Sequence, residues 1–448
     1  MASRCFTPDL SGRDLLLTVD FTADELIARR RRIAGKMGEE GKLLLVAAPP
    51  TPSGFALQDA NFYYFAGLEA CHACLLIDGA TGESELFLPS RDTMVGEPEN
   101  RIGHEDDELI RERLGVDRVD TTEALTGALA DTEVLFLPDV EVEGGGATWF
   151  ASKGCAERRQ KEPWDQAEPR YQRLVRLATE RIPGVEIRDA GPLIREMRTI
   201  KSPAEIEVMR QAGQLAAAAV TEGMKATEPG MVENRLQAIA EYVFRDQGHC
   251  GLGYGVIAAG GRRTWDGHYQ LNNATLAEDE IVLMDCGPDL RHYTSDIARL
   301  WPVNGVFSDW HRRVYGFIVE YHKTLLALVR PGVLVKDIYE QSEKTMADLC
   351  MEPDAPWHDM KPIFEAMVEK GVRYLNHAVG LSVHDAVGPW QDQPLKEGFV
   401  GVMDPMVWCE DRHEYIRVED TFVVTADGCE RLTGDAPFEI DDIEAVMR

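Results

Sequence analysis

Positive charge is scarce in this sequence: 47 Lys and Arg stand against 77 Asp and Glu, a formal net charge of −30 over 448 residues. Such a surface repels phosphate backbones and anionic lipid, which argues against nucleic acid and membrane surfaces as partners. No apolar run reaches the ~18 residues of a membrane-spanning helix. Residues 1–20 lack the basic stretch, compact apolar run and small-residue cleavage site of a secretory leader. Nine cysteines, an odd number spread from Cys5 to Cys429, do not make a disulfide framework in so long a chain. These absences point to a reducing cytoplasm. HExxH and GxSxG are missing too, which disfavours the zincin and serine-hydrolase routes. Cys71-His72-Ala73-Cys74 has no second ligand pair nearby, and Gly251-Leu252-Gly253-Tyr254-Gly255 is not a dinucleotide fingerprint.

What is present suits a globular protein of two domains, with 44% hydrophobic and 28% charged residues. In the first half, Thr22 and Glu25 form a capping-box signature for a helix over residues 23–37. Its Arg29–Arg32 run reads as a solvated helix face. Strands are expected over 42–48, 74–78 and 84–88, and residues 143–170 read as a surface loop or short helical excursion. A boundary falls within 189–203, which gives an α/β domain over 1–193 and a second domain over 194–448. The second domain alternates helices (204–224, 231–247), strands (253–259, 280–286, 292–301), helices (309–329, 335–349) and a strand-rich final third. That order indicates α+β architecture.

The chemistry sits on strand ends. An apolar strand ends in Asp285, a turn follows, and the next strand opens with Asp296. If the turn centres on Leu290-Arg291, the two aspartates oppose each other with Cβ atoms ~4.5–5.5 Å apart. Buried carboxylates that close repel unless a cation lies between them, although a solvated pair at a turn is the blander alternative. A second hairpin repeats the pattern. Centring its turn on Asp411-Arg412 places Asp404 opposite Glu419, and Arg417 shares the face of Glu419. Two carboxylate pairs offset the charge of two divalent ions and leave room for a bridging water or hydroxide, a nucleophile near neutral pH. His377 and His384 flank a Gly-containing apolar segment and supply an imidazole ligand. Carboxylates with one imidazole suit Mn²⁺, Co²⁺, Fe²⁺ or Zn²⁺ better than Ca²⁺. His268, in the loop before the first hairpin, is in reach of substrate.

These motifs resemble the metallopeptidase family of prolidase, aminopeptidase P and methionine aminopeptidase, which share the pita-bread catalytic fold. The resemblance rests on Met284-Asp285-Cys286-Gly287 with Ser295-Asp296-Ile297-Ala298-Arg299, on the segment from His377 to Asp385, and on Ile416-Arg417-Val418-Glu419-Asp420-Thr421. Two further stretches match, the one from Met197 to Ile206 at the entry to the catalytic domain and the one from Gln58 to Leu68 in the N-terminal domain. The resemblance implies two divalent metals, Mn²⁺ foremost. Asp285 and Asp296 would hold one, Asp296, His377 and Glu419 the other, and residue 404 would complete the site. His268 and His384 match substrate-contacting histidines, and Arg417 an arginine of the active-site network. The implied reaction is hydrolysis of the bond between an N-terminal residue and proline by a homodimer acting on small peptides.

Two positions depart from the family pattern. Asp404 stands where a glutamate usually serves as ligand and proton shuttle, and its side chain is ~1.5 Å shorter. Arg373 stands where peptidase members often carry histidine, and a cation there suits a substrate carboxylate. They motivate an alternative, a non-peptidase relative acting on a small-molecule amide or guanidino metabolite. A catalytically dead binding protein is a third class, set against the retention of five acceptable ligand types.

Overall fold

Alternating apolar segments of the first half meet as one six-stranded sheet in the computed structural model, which describes residues 17–39, 41–49, 58–93, 101–139, 148–246, 251–371, 374–375, 377–385 and 389–448. Its strands are β1 (Gly41–Val46), β2 (Cys74–Asp78), β3 (Ser84–Leu88), β4 (Arg118–Thr121), β5 (Val134–Leu137) and β6 (Glu186–Asp189), in the order β4-β3-β2-β1-β5-β6. β1 and β2 are antiparallel, as are β2 and β3, while β3–β4, β1–β5 and β5–β6 run parallel, the signature of helical crossovers. Together they form an α/β unit within Phe6–Arg198.

The helix Ala23–Met37 opens on Thr22, whose hydroxyl accepts from the Glu25 N–H at 3.3 Å. Its arginine run is only half solvated: Arg31 and Arg32 are exposed, but Arg29 and Arg30 are buried. Arg30 donates to the carbonyls of Phe65, Leu114 and Gly115, and Arg29 to that of Tyr64. These are orphan acceptors at the ends of helices Ala60–Ala66 and Asp107–Leu114, where a guanidinium satisfies both hydrogen bonding and the helix dipole. Helical periodicity alone does not reveal that tertiary use. Within 143–170, the helix Trp149–Lys161 buries none of its residues.

The second unit, within Thr199–Arg448, is α+β. Its strands are β7 (Gly251–Leu252), β8 (Ile257–Gly260), β9 (Ile281–Cys286), β10 (Pro288–Asp289), β11 (Ile297–Pro302), β12 (Val400–Met403), β13 (Met406–Cys409), β14 (Glu414–Arg417), β15 (Glu419–Val424) and β16 (Cys429–Arg431). The main sheet has the order β12-β15-β11-β9-β8, with β16 also on β15. The paired strands are antiparallel throughout.

Helices Pro203–Ala226 and Asn234–Asp246 pack against β8, β9 and β11, and helix Asp309–Leu328 against β12 and β14. The first is opened by a capping box. Ser202 Oγ accepts from the Glu205 N–H and Glu205 Oε2 from the Ser202 N–H, at 3.2 and 2.9 Å. The other oxygen of Glu205 accepts from the Tyr293 hydroxyl at 2.9 Å and ties the helix start to the hairpin that carries Asp296. Close helix–sheet approach needs small residues. A Cβ at Gly223 would crowd the sulfur of Met284, one residue before Asp285.

Candidate metal centre

Two crossings of the main sheet carry the acidic side chains. Asp285 is the penultimate residue of β9 and Asp296 immediately precedes β11, but they are not directly opposed. Ala298 is the partner of Asp285, so Asp296 lies on the diagonal. The turn centres on Arg291-His292, both at positive φ (51° and 72°), between reciprocal hydrogen bonds of Leu290 and Tyr293. This primed geometry suits a twisted hairpin. Neither central residue is the glycine or asparagine that would announce it, and moving the turn one residue moves the register by two. A two-residue shift keeps both carboxylates on one face. In the second hairpin, Met403 pairs with Asp420 and Met406 with Arg417, so Asp404 stands opposite Glu419.

All four carboxylates are buried, between 2 and 4% exposed. Asp296, His377 and Glu419 offer ligand atoms within 4.8 Å of one another, the one such group of three or more among the described residues. Asp285 and Asp404 join through Arg417. Its guanidinium forms an ion pair with Asp285, lies 3.4 Å from Asp404 Oδ2 and 3.1 Å from Glu419 Oε2. Glu419 Oε2 is close but not aligned as a hydrogen-bond acceptor, and Asp404 Oδ1 has no partner among the described residues. The rings of His377 and His384 are 4.1 Å apart. His268 is exposed in its loop. Arg373 lies outside the described residues.

Sequence reading missed Tyr254, whose hydroxyl lies 2.6 Å from Asp285 Oδ1 and 2.6 Å from Asp296 Oδ1. A signal existed: glycines flank it, and glycine within a strand marks close backbone approach. A Cβ at Gly253 would collide with Thr294, and one at Gly287 with the carbonyl oxygen of Ser295 and, at 2.8 Å, the Tyr254 ring. Thr421 was missed as well. Its hydroxyl accepts from the Asp296 N–H and donates to the Asp296 carbonyl, both at 2.8 Å, and so fixes the backbone of the central carboxylate. Behind Glu419, strand alternation turns Asp420 into the core, where Arg299 and Thr433 donate to it at 2.7 and 2.6 Å.

Electrostatics decide what the cluster can hold. Four carboxylates face one guanidinium. Burial, then the neighbouring Asp285, pushes Asp296 well above the ordinary range. Burial raises Glu419 in the same way, against the opposing pull of Arg417. Asp404 is raised to about 7 by burial, with Arg417 opposing. Such a set stays ionised only against added positive charge, which divalent cations supply. Burial, then His384, holds His377 well below its ordinary value, so its imidazole is neutral and free to ligate. The donor set therefore fits metal. The cysteine pair does not: Cys74 is buried with its thiol pushed up to about 12 by burial, and no metal-holding group among the described residues includes it.

Comparison with known proteins agrees with this chemistry. Residues 207–426 match the model of metallopeptidase family M24. Xaa-Pro aminopeptidase 3 of Homo sapiens is 30% identical over 413 residues, covering 87% of this chain and 76% of that protein. The Xaa-Pro aminopeptidase of Escherichia coli is 28% identical over 447 residues, covering 94% and 96%. The structure of aminopeptidase P from E. coli with the inhibitor Pro-Leu superposes with a TM-score of 0.73 at 26% identity, covering 95% of this chain and 98% of that one. These likenesses cover nearly the whole chain, and the chain belongs to metallopeptidase family M24, in its aminopeptidase P branch.

Proposed function

We propose that the chain is a metal-dependent exopeptidase that hydrolyses the bond between an N-terminal residue and proline. The observation that carries this reading is the buried group of Asp296, His377 and Glu419, linked to Asp285 through Tyr254 and to Asp404 through Arg417. The names of the relatives support the substrate class. Two metals are proposed, one held by Asp285 and Asp296, the other by Asp296, His377 and Glu419, with Asp404 completing the site. When bound, the ions supply an activated water near neutral pH and polarise the scissile carbonyl.

The chain's own groups do the rest. Asp404, opposite Glu419, takes a proton from the attacking water at Oδ1 and returns it to the leaving proline nitrogen. Arg417 holds the carboxylates apart at fixed spacing. Tyr254 orients the diagonal aspartates. His268 and His384 contact the substrate around the reacting carbonyl. Burial, then His268, holds the His384 imidazole down to about 4, so it meets the substrate neutral at pH 7. Arg373 is assigned to the substrate's carboxylate end on its charge alone.

Carboxylate-rich donors with one imidazole favour Mn²⁺, with Co²⁺, Fe²⁺ and Zn²⁺ as competitors. A cytoplasmic homodimer completes the proposal. Among the described residues no helix is long and apolar enough to cross a membrane. Purified protein loaded with Mn²⁺ is expected to cleave Xaa-Pro dipeptides or longer Xaa-Pro peptides and to spare peptides without proline at the second position. No turnover of either length refutes the reading. Elemental analysis decides metal number and identity, and light scattering the assembly.

A further inference from the structure

A second buried carboxylate lies outside the metal cluster, at the base of the loop that carries His268. Glu233 is fully buried just before helix Asn234–Asp246. Its side chain takes four hydrogen bonds. Oε1 accepts from the Gly260 N–H at 2.8 Å and from Arg263 Nε at 2.6 Å. Oε2 accepts from the Tyr269 hydroxyl at 3.1 Å and from the Ala274 N–H at 2.9 Å.

All four donors belong to residues 260–274: the two ends of one loop and two points inside it. The backbone N–H of Glu233 donates to the Ala274 carbonyl at 3.0 Å, and Arg263 also reaches Glu280 at 2.9 Å. Asn272 adds a second anchor. At a φ of 48° it bonds Ala258, Val256 and Gln237. An ionised carboxylate is costly to bury unless its lone pairs are met, and here they are met by a single segment. His268 is adjacent to Tyr269 in that segment, and its backbone N–H donates to Asp266 Oδ1 at 3.3 Å.

We infer that Glu233 is a positioning residue, which fixes loop 260–274 so that His268 is presented to a substrate bound beside His384. The inference rests on the reading of His268 as a substrate-contacting group. Beside the Asn272 anchor, this carboxylate is the tie that reaches the middle of the loop: its two oxygens set where the loop begins, ends and places the residue after His268. A misplacement near 1 Å at a reacting centre is enough to cost about 100-fold in rate.

Glu233→Gln keeps the shape of the side chain and places an amide NH₂ where protein donors point. In the metal-loaded enzyme assayed on an Xaa-Pro tripeptide, kcat/KM is expected to fall by about 10- to 100-fold, with bound metal unchanged. Backbone amides of residues 261–273 should exchange hydrogen faster, while those of β9 and β11 keep their wild-type rates. Tyr269→Phe deletes one bond only, and should show the same pattern more weakly. It keeps the test valid if Glu233→Gln does not fold.

In a His268→Ala background, Glu233→Gln should add no further loss. An equal loss in that background, metal lost in step with activity, or unchanged exchange of the loop overturns the inference. Wild-type kcat/KM in His268→Ala overturns the His268 reading and this inference with it. An impaired His268→Ala beside wild-type rates in Glu233→Gln and Tyr269→Phe overturns the role of Glu233 alone. If the wild-type enzyme turns over no Xaa-Pro peptide, the proposed function fails, and loop exchange decides the anchoring.

Discussion

Asp404 faces Glu419 across the junction of two antiparallel ladders, with Met403–Asp420 paired on one side and Met406–Arg417 on the other. A single register therefore runs from β12–β15 into β13–β14, and the two carboxylates are held by backbone on both flanks. The short side chain at 404 cannot be offset by strand slippage, because a slip of one residue would turn either carboxylate into the core. Reach toward the attacking water is set by the side chain alone.

Asp404→Glu follows from that geometry. One added methylene extends the carboxylate by ~1.5 Å, and kcat on Xaa-Pro peptides should rise by up to about tenfold, with KM little changed. A fall in kcat with full metal occupancy would mean that the site is tuned to the shorter acid, and that the proton-shuttle role assigned to it is wrong.

Asp296 is central to both proposed metals, and Thr421 pins its backbone. Asp296→Ala should cut metal content and lower kcat/KM by at least about 100-fold. Elemental analysis of the variant checks this. Two ions per chain retained after the substitution would dismiss the ligand assignment.

Tyr254 donates one proton between two carboxylates and orients both. Tyr254→Phe removes that bond without changing the ring. Metal affinity should drop by about 10- to 100-fold, the usual effect of losing a group that orients ligands. Competition with a fluorescent chelator reads the change, and an unaltered affinity would show that the hydroxyl is dispensable.

His384 gives a pH prediction for chelator-treated protein. Burial first, and His268 second, hold its imidazole down to about 4, against an ordinary value of 6.5. Between those values the unfolded chain binds a proton that the folded one refuses. Stability from this group is complete above about pH 6.5 and is lost as pH falls toward about 4, with up to about 3 kcal/mol at stake. Urea titrations across that window should show a flatter pH slope for His384→Gln. Equal slopes in the two proteins would remove the prediction.

Much of the fold was legible because its determinants are local. The Ser202-Pro203 start signal and the alanine-rich period behind it announce helix Pro203–Ala226, and β2 and β3 begin and end where the apolar runs and the turn Gly79-Ala80-Thr81-Gly82 between them place them. The second hairpin reads correctly for the same reason. The first does not, since Arg291 and His292 adopt left-handed backbone with no residue type that signals it.

The burial of Arg29 and Arg30 was not legible either, because the carbonyls they satisfy lie 35 to 85 residues away. By itself, the sequence determined which hairpins carry the acidic side chains, since strand alternation and motif order are properties of neighbours along the chain. The tertiary structure alone decided how those charges coexist. The diagonal placement of Asp285 and Asp296 beneath Tyr254, and the single guanidinium shared among Asp285, Asp404 and Glu419, depend on contacts between distant strands. No local pattern encodes those distances; they follow from which strands the sheet brings side by side.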